Sequence, residues 1–363
     1  MKIVVALDKF KGSLTAPAAC EIVRRSLPDH HIISKPMADG GDGTAAALHA
    51  ALGGEWITKI VTGPLPSIHS SAMYLWLERE RRACIEMAQA SGLVLLRPEQ
   101  RNPLLTTTYG TGELIADALQ RGAKHIWLAI GGSATNDGGV GAAMALGWRF
   151  LDAQGQPVGL GGGELEHIAT IHPPATPLPP VEVLCDVTNP LCGERGAAAV
   201  FGPQKGATPA MVTRLDAGLR HLAGLVKPDI LNIPGSGAAG GLGGGAIAFL
   251  KARLVPGIET VMHASGLPEA LTGAAWVITG EGQFDEQSLH GKVVAGVTAL
   301  ARQHGVKVAV LAGRVKLTEA EWRRAGIDAV LAIAPADLPL EEALRRAPEL
   351  LATATRQLPI VRR

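Results

Sequence analysis

The residues best suited to chemistry gather around glycines. Four stretches, MADGGDGT (37–44), TYGTGE (108–113), GGSATNDGG (131–139) and GEGQFDEQSLHGK (280–292), each place a glycine-rich turn where a helix is expected to open. Without a Cβ in the way, successive backbone N–H groups can point at one spot. The helix start behind them adds partial positive charge, so the turn becomes a seat for phosphate or carboxylate. The acidic members, Asp39, Asp42, Asp137, Glu281 and Asp285, cannot hold an anion themselves. They suit Mg²⁺, which takes one or two carboxylates together with substrate phosphates. The combination points to a metal-nucleotide or a phosphorylated ligand. Taken singly, each turn is also ordinary strand-to-helix punctuation; four in one chain favour the ligand.

Other candidates lie nearby. DKFKGSL puts Asp8, Lys9, Lys11 and Ser13 directly after the first apolar run. Lysines there would neutralise phosphates, with Asp8 positioning them or binding metal; alternating lysines on a solvated face give the same pattern. CDVTNP brings Asp186 after a second apolar run, beside Thr188 and Asn189. That composition suits a general base held by hydrogen-bonding neighbours, and equally an Asx-turn ahead of Pro190. FGPQKG (201–206) offers Gln204 and Lys205, and HGK (290–292) offers His290 and Lys292, either of which would meet an anion.

Several familiar chemistries are excluded. No G-x-x-x-x-G-K-[ST] occurs, nor H-R-D with D-F-G, so neither a Walker-A site nor a protein-kinase fold is present. A G-x-G-x-x-G match at Gly235, Gly237 and Gly240 follows only the short DILNI, broken by Pro234, and its glycine run continues to Gly245. It reads as a loop that packs closely on the next helix or lines the ligand site, not as a dinucleotide fingerprint. The histidines lack the spacing of a zinc site, and no G-x-S-x-G elbow occurs. Cys20, Cys84, Cys185 and Cys192 form no C-x-x-C pair and read as reduced, buried thiols.

These residues need a scaffold, and the apolar pattern supplies one. Short apolar runs alternate with amphipathic stretches, as in an α/β protein. Strands are expected at Ile3–Leu7, His31–Pro36, Ala123–Ile130, Val181–Leu184, Trp276–Thr279, Val306–Leu311 and Ala329–Ile333, with SAMYLWLE and RACIEMA as antiparallel or mixed strands. Helices are expected at Thr15–Leu27, Thr44–Leu52, Val140–Trp148, Val293–His304, Thr318–Ala325 and Leu340–Gln357. Residues 153–181, rich in Gly, Pro and Thr, read as loop. Residues 1–60 and 257–363 then form one parallel-sheet domain, interrupted by a second domain made of 61–256. A length of 363 residues fits two domains, and 47% hydrophobic residues suffice for their cores.

Lys plus Arg (34) nearly cancel Asp plus Glu (33), which gives no electrostatic reason to expect nucleic acid or an anionic membrane. The first apolar run is shorter than the ~7–15 residue core of a signal peptide. The uncharged stretch Ile230–Leu250 contains Asn232, Pro234 and seven glycines, so it lacks the continuous apolar surface of a membrane helix. The expectation is a soluble, cytoplasmic protein, monomeric or homodimeric.

Together these motifs resemble the bacterial-type glycerate kinases, which phosphorylate D-glycerate with ATP. The matching stretches are DKFKGSLTA (8–16), PMADGGDGT (36–44), VTGPL (61–65), IEMAQASGL (85–93), RNPLLTTTYGTGELI (101–115), IGGSATNDGGVGAAMALG (130–147), CDVTNPLCG (185–193), FGPQKGA (201–207), PGSGAAGGLGGG (234–245) and VITGEGQFDEQSLHGKV (277–293). Lys9 stands where many members carry Ser, and Gln283 and Arg314 where Arg and Ser are frequent. The resemblance implies a Rossmann-like parallel-sheet domain carrying an inserted α/β domain, with the active site in the cleft between them. It also implies transfer of the γ-phosphoryl group with Mg²⁺, giving 2-phosphoglycerate. On that basis Asp39, Gly40, Gly41, Gly131, Gly132, Ser133, Gly280, Glu281 and Gly282 are expected to hold ATP, and Lys9, Lys11 and Lys292 to stabilise the transferring charge. Asp186 is the expected base. Asp137 or Asp285 would hold Mg²⁺, and Arg101, Thr107, Thr108 and Lys205 would meet the substrate, Lys205 also facing the transferring phosphoryl.

Overall fold

The computed structural model describes residues 1–175, 177–226, 229–289 and 291–360. In chain order its strands are β1 (Lys2–Leu7), β2 (His31–Ser34), β3 (Glu55–Thr62), β4 (His69–Leu77), β5 (Arg82–Glu86), β6 (His125–Ala129), β7 (Arg149–Leu151), β8 (Thr170–His172), β9 (Val181–Leu184), β10 (Arg253–Val255), β11 (Trp276–Phe284), β12 (Lys307–Val315) and β13 (Ala329–Ala332). The chain divides into two compact units. One comprises Met1–Asp39, Ala46–Gly53 and the chain from Gly257 onward; the other comprises Gly40–Ala45 and Gly54–Pro256.

The first unit is built on a five-stranded sheet in the order β13-β12-β11-β1-β2, parallel throughout. Ile3–Leu7 is wholly buried, as a strand covered on both faces of a parallel sheet must be, which is why its apolar run has no alternation. The helix Ala16–Ser26 begins where Thr15 caps it, its side chain accepting from the Ala18 N–H. Ala19, Cys20 and Val23 of that helix share one apolar cluster with Ile3, Val5, Leu7 and Leu351. The C-terminal helical region is broken in two, Leu340–Arg345 and Ala347–Gln357, with Pro348 in the first turn of the second.

The second unit carries a six-stranded mixed sheet, β10-β9-β6-β5-β4-β3. β10, β9, β6 and β5 are parallel, and β4 and β3 close the sheet as antiparallel neighbours. The mixed pairing expected for SAMYLWLE and RACIEMA is therefore present. β3 belongs wholly to this sheet, since its ladder from Glu55 to Thr62 runs to β4, so a boundary at residue 60 cuts a strand. The stretch expected as loop contains a helical turn at Gly162–His167 and β8, which pairs antiparallel with β7. Phe249 lies edge-on to Trp148 and Phe150 at centroid distances of 5.1 and 5.3 Å, pinning the helix Leu242–Leu250 into the core.

Two of the glycine turns are not turns. Gly280, Glu281 and Gly282 continue β11, and a Cβ on Gly280 would run into the Leu311 carbonyl oxygen on β12. The expected turn at 280–282 is thus a strand, with glycine there for close backbone approach. In TYGTGE, Thr108 is the N-cap and residues 109–113 already belong to the helix Tyr109–Gln120, where Gly110 packs on the Thr62 backbone and Gly112 on Ala142. The run Gly235–Gly245 has no strand before it among the described residues and passes directly into the helix Leu242–Leu250, which speaks against the dinucleotide reading as well.

Candidate functional site

In the first unit the candidate groups collect at the carboxyl edge of the parallel sheet. The chain leaves β1 with the Asp8 N–H donating to the Gly280 carbonyl (2.9 Å), and beyond β2 the Met37 N–H donates to the Leu7 carbonyl (2.9 Å). Asp8, Asp39 and Glu281 are thereby held within electrostatic reach of one another. Burial pushes the Asp8 carboxyl up to about 7, and the Asp39 charge adds to the effect while Lys9 opposes it. Burial also raises Glu281, against the lowering effect of Ser288 and Lys292, and its Oε1 is buried with no partner among the described residues. The position between β1 and β11, where the strand order reverses, is where open parallel sheets bind ligands.

Cations stand beside these acids. Lys9 is half-buried, and its backbone N–H donates to Asp8 Oδ1 at 2.6 Å. Lys11 is exposed, with its backbone against Gly282. Lys292 caps the eleven-residue helix Val293–Gln303 and its charge acts on both Glu281 and Asp285. Asp285 accepts from Gln283 Nε2 (2.6 Å) and the Gln287 N–H (3.0 Å), and the Gln283 bond keeps its carboxyl below the ordinary range. Gln283 and Arg314, the two departures from the family pattern, are register partners across β11 and β12. His290 lies outside the described residues.

In the second unit the carboxyl ends of β5, β6 and β9 carry Glu86, Gly131–Asp137 and Asp186. Gly40–Gly43 forms the expected turn before the helix Thr44–Leu52, closed by Thr44 Oγ1 donating to the Gly41 carbonyl at 2.6 Å. Gly131 presses so closely on Gly41 that a Cβ there would overlap the Gly41 Cα, so the two glycine stretches form one backbone surface. Ser133 is pinned by a bridge to Gly92 and is 8% exposed. Glu86, which sequence reasoning missed, is buried and accepts from the Ala45 N–H at 2.8 Å. Asp186 is half-buried in the loop after β9 and helps burial raise the Cys185 thiol to about 11. The Asn189 amide does not brace it, because that group donates to the Arg195 carbonyl.

Asp137 requires a correction. It is fully enclosed, and its oxygens accept from Thr108 N (2.7 Å), Thr108 Oγ1 (2.9 Å), Thr107 Oγ1 (3.3 Å), Gly139 N (3.1 Å) and Gly141 N (3.3 Å). The anion seat expected of GGSATNDGG is occupied by the chain's own carboxylate, which caps the six-residue helix Val140–Ala145. Asp137 is therefore a structural anion and does not fit Mg²⁺. Thr107 and Thr108 are spent on it and leave the substrate set. Lys205 is 1% exposed, not surface-facing, and its Nζ donates to the Thr135 carbonyl at 2.6 Å. Burial brings its ammonium down to about 7, against the opposing Asp137 charge. Among the described residues no three His, Cys, Asp or Glu side chains are arranged to hold a metal.

Comparison with known proteins decides the family. The family model described as "Glycerate kinase family" matches residues 3–361. The chain belongs to the glycerate kinase family. It is thus an ATP-dependent phosphotransferase. It is 45% identical to a glycerate kinase of Halalkalibacterium halodurans and 43% identical to a glycerate 2-kinase of Escherichia coli, with 99% of this chain and 97% of each relative covered. A crystal structure described as a putative glycerate kinase 2 from Salmonella typhimurium LT2 superposes with a TM-score of 0.84 at 44% identity, covering 99% of this chain and 97% of that one.

Proposed function

We propose that this kinase transfers the γ-phosphoryl group of ATP to the 2-hydroxyl of D-glycerate, giving 2-phosphoglycerate. The observation that carries the reading is the near-complete coverage by relatives named for that activity, glycerate 2-kinase of E. coli among them. The site chemistry accords with it. In-line phosphoryl transfer needs positioning and charge neutralisation more than covalent chemistry. Lys9, Lys11 and Lys292 supply positive charge for the phosphates, and the apposed backbones of Gly40, Gly41, Gly131 and Gly132 supply N–H groups without side chains in the way.

Asp186 accepts the proton from the substrate hydroxyl as the new O–P bond forms. Mg²⁺ suits the carboxylates of the first unit: Glu281 Oε1 has no partner among the described residues, and the Asp39 charge, which adds to burial in raising Asp8, is of the kind a cation relieves. When bound, Mg²⁺ neutralises phosphate charge. Asp8, Asp39, Glu281 and Asp285 are the residues that would hold it, one or two at a time. No helix among the described residues is long and apolar enough to cross a membrane, and all four cysteines are free, which accords with work in the reducing cytoplasm.

The test is ADP release from the purified protein across D-glycerate, L-glycerate, lactate, tartronate and sugar acids. D-Glycerate is expected to give the highest kcat/KM. Absence of turnover with it, or a clear preference for another acid, ends this reading.

A further inference from the structure

In the second unit Arg101 and Lys205, expected from the sequence to meet the substrate, stand among polar side chains that take no part in the roles proposed above. Lys205 ends the turn Pro203–Lys205, and its ammonium, which has three donors, makes its hydrogen bond among the described residues to the Thr135 carbonyl. That carbonyl is joined to the nitrogen of Asn136, so the ammonium lies within one residue of the Asn136 side chain. Asn136 is 0% exposed, and among the described residues neither Nδ2 nor Oδ1 has a partner, nor has the buried Thr135 hydroxyl. Arg101 stands alongside, since its backbone blocks any Cβ on Gly206, the residue after Lys205, and its buried Nε also has no partner among the described residues.

The group is not a finished ion pair. Asp137 acts on Lys205 electrostatically, but its oxygens are taken by Thr107, Thr108, Gly139 and Gly141. A buried cation with donors to spare, an amide with both atoms unmade and an open hydroxyl are each costly alone, and the bond from Lys205 to the Thr135 carbonyl puts all three within adjoining residues, which calls for a polar ligand. The donors require an acceptor-rich anion. Asn136 Oδ1 requires a donor as well, which a carboxylate alone does not offer. A small hydroxy acid with a second hydroxyl satisfies both, the carboxylate through its oxygens and the hydroxyl that is not phosphorylated through its proton.

We propose that Lys205, Asn136 and Thr135 form the seat of the substrate's carboxylate, with Lys205 Nζ and Asn136 Nδ2 donating to it and Asn136 Oδ1 accepting from the 3-hydroxyl, which leaves the proton of the 2-hydroxyl to Asp186. This rests on D-glycerate being the phosphoryl acceptor. These are binding residues. The sequence marked Lys205 but not Asn136 or Thr135, which sit unremarked inside a run of small residues.

Steady-state kinetics of Asn136→Leu and Thr135→Val, alongside unfolding of the substrate-free proteins, test the assignment. Asn136→Leu is expected to raise the KM for D-glycerate at least tenfold with the KM for ATP unchanged, and to abolish the melting shift that D-glycerate alone gives the wild type. Thr135→Val is expected to raise the same KM about threefold or more. If both variants keep the wild-type KM for D-glycerate, the group is structural and the seat is wrong. If Asn136→Leu does not fold, Thr135→Val decides alone. Wild-type turnover is measured in the same series: no turnover of D-glycerate fails the proposed function, whereas turnover with unmoved KM values fails only the seat.

Discussion

At the scale of single residues, the account turns on which charged groups face ligand and which are spent inside the protein. Asp186 and Asp137 both follow apolar strands in glycine- and threonine-rich sequence. Structure separates them: Asp137 is consumed by Thr107, Thr108 and the start of a helix, while Asp186 sits half-buried in a loop. Asp186→Asn is expected to lower kcat by roughly 10²–10⁴ with KM for ATP little changed; a loss under tenfold rules it out as the base. Asp137→Ala is expected to destabilise the fold by roughly 3 kcal/mol in urea titration, because several buried donors lose a charged acceptor at once. Lys205 gives a pH signature. Between about 7 and its ordinary 10.5 the unfolded chain holds a proton that the folded chain has lost. Raising the pH through that window therefore favours the substrate-free folded state, and Lys205→Met should flatten the rise in melting temperature.

At the scale of elements, the strands were legible and the glycines were only half so. Ile3–Leu7 and Val308–Leu311 announce themselves because a parallel strand covered on both faces is apolar at every position. Thr15 likewise declares a helix start by its own chemistry. Gly110 and Gly280 do not declare theirs: the same residue type serves a phosphate turn, a helix pressed on a neighbouring backbone or a strand pressed on its partner. What separates these cases is a contact far off in sequence, Thr62 for one and Leu311 for the other. Ala substitution at Gly280 should therefore cost stability, about 1–3 kcal/mol by denaturant unfolding, from collision with β12 rather than from lost ligand binding. An unchanged midpoint would mean that the ladder yields at that point. The Asn136 site was illegible for a related reason. That its amide lacks partners is a property of the packed interior, and no spacing in the sequence encodes it.

At the scale of the whole molecule, the chain divides into a discontinuous parallel-sheet unit and a mixed-sheet unit; the resumption of regular alternation near residue 257 matches one boundary, while the other falls at Gly53, ahead of β3, and not at residue 60. In each unit several residues assigned to chemistry follow the carboxyl ends of parallel strands: Asp8, Asp39 and Asp285 in one, Gly131 and Asp186 in the other. That placement, with membership of the glycerate kinase family, makes the central claim a chemical one: phosphate goes from ATP to O2 of D-glycerate. Phosphorus NMR of the product formed from ATP, Mg²⁺ and D-glycerate tests it directly. The account predicts 2-phosphoglycerate, formed in step with ADP and consumed at once by added enolase; 3-phosphoglycerate, or ADP without a phosphorylated acid, would contradict it.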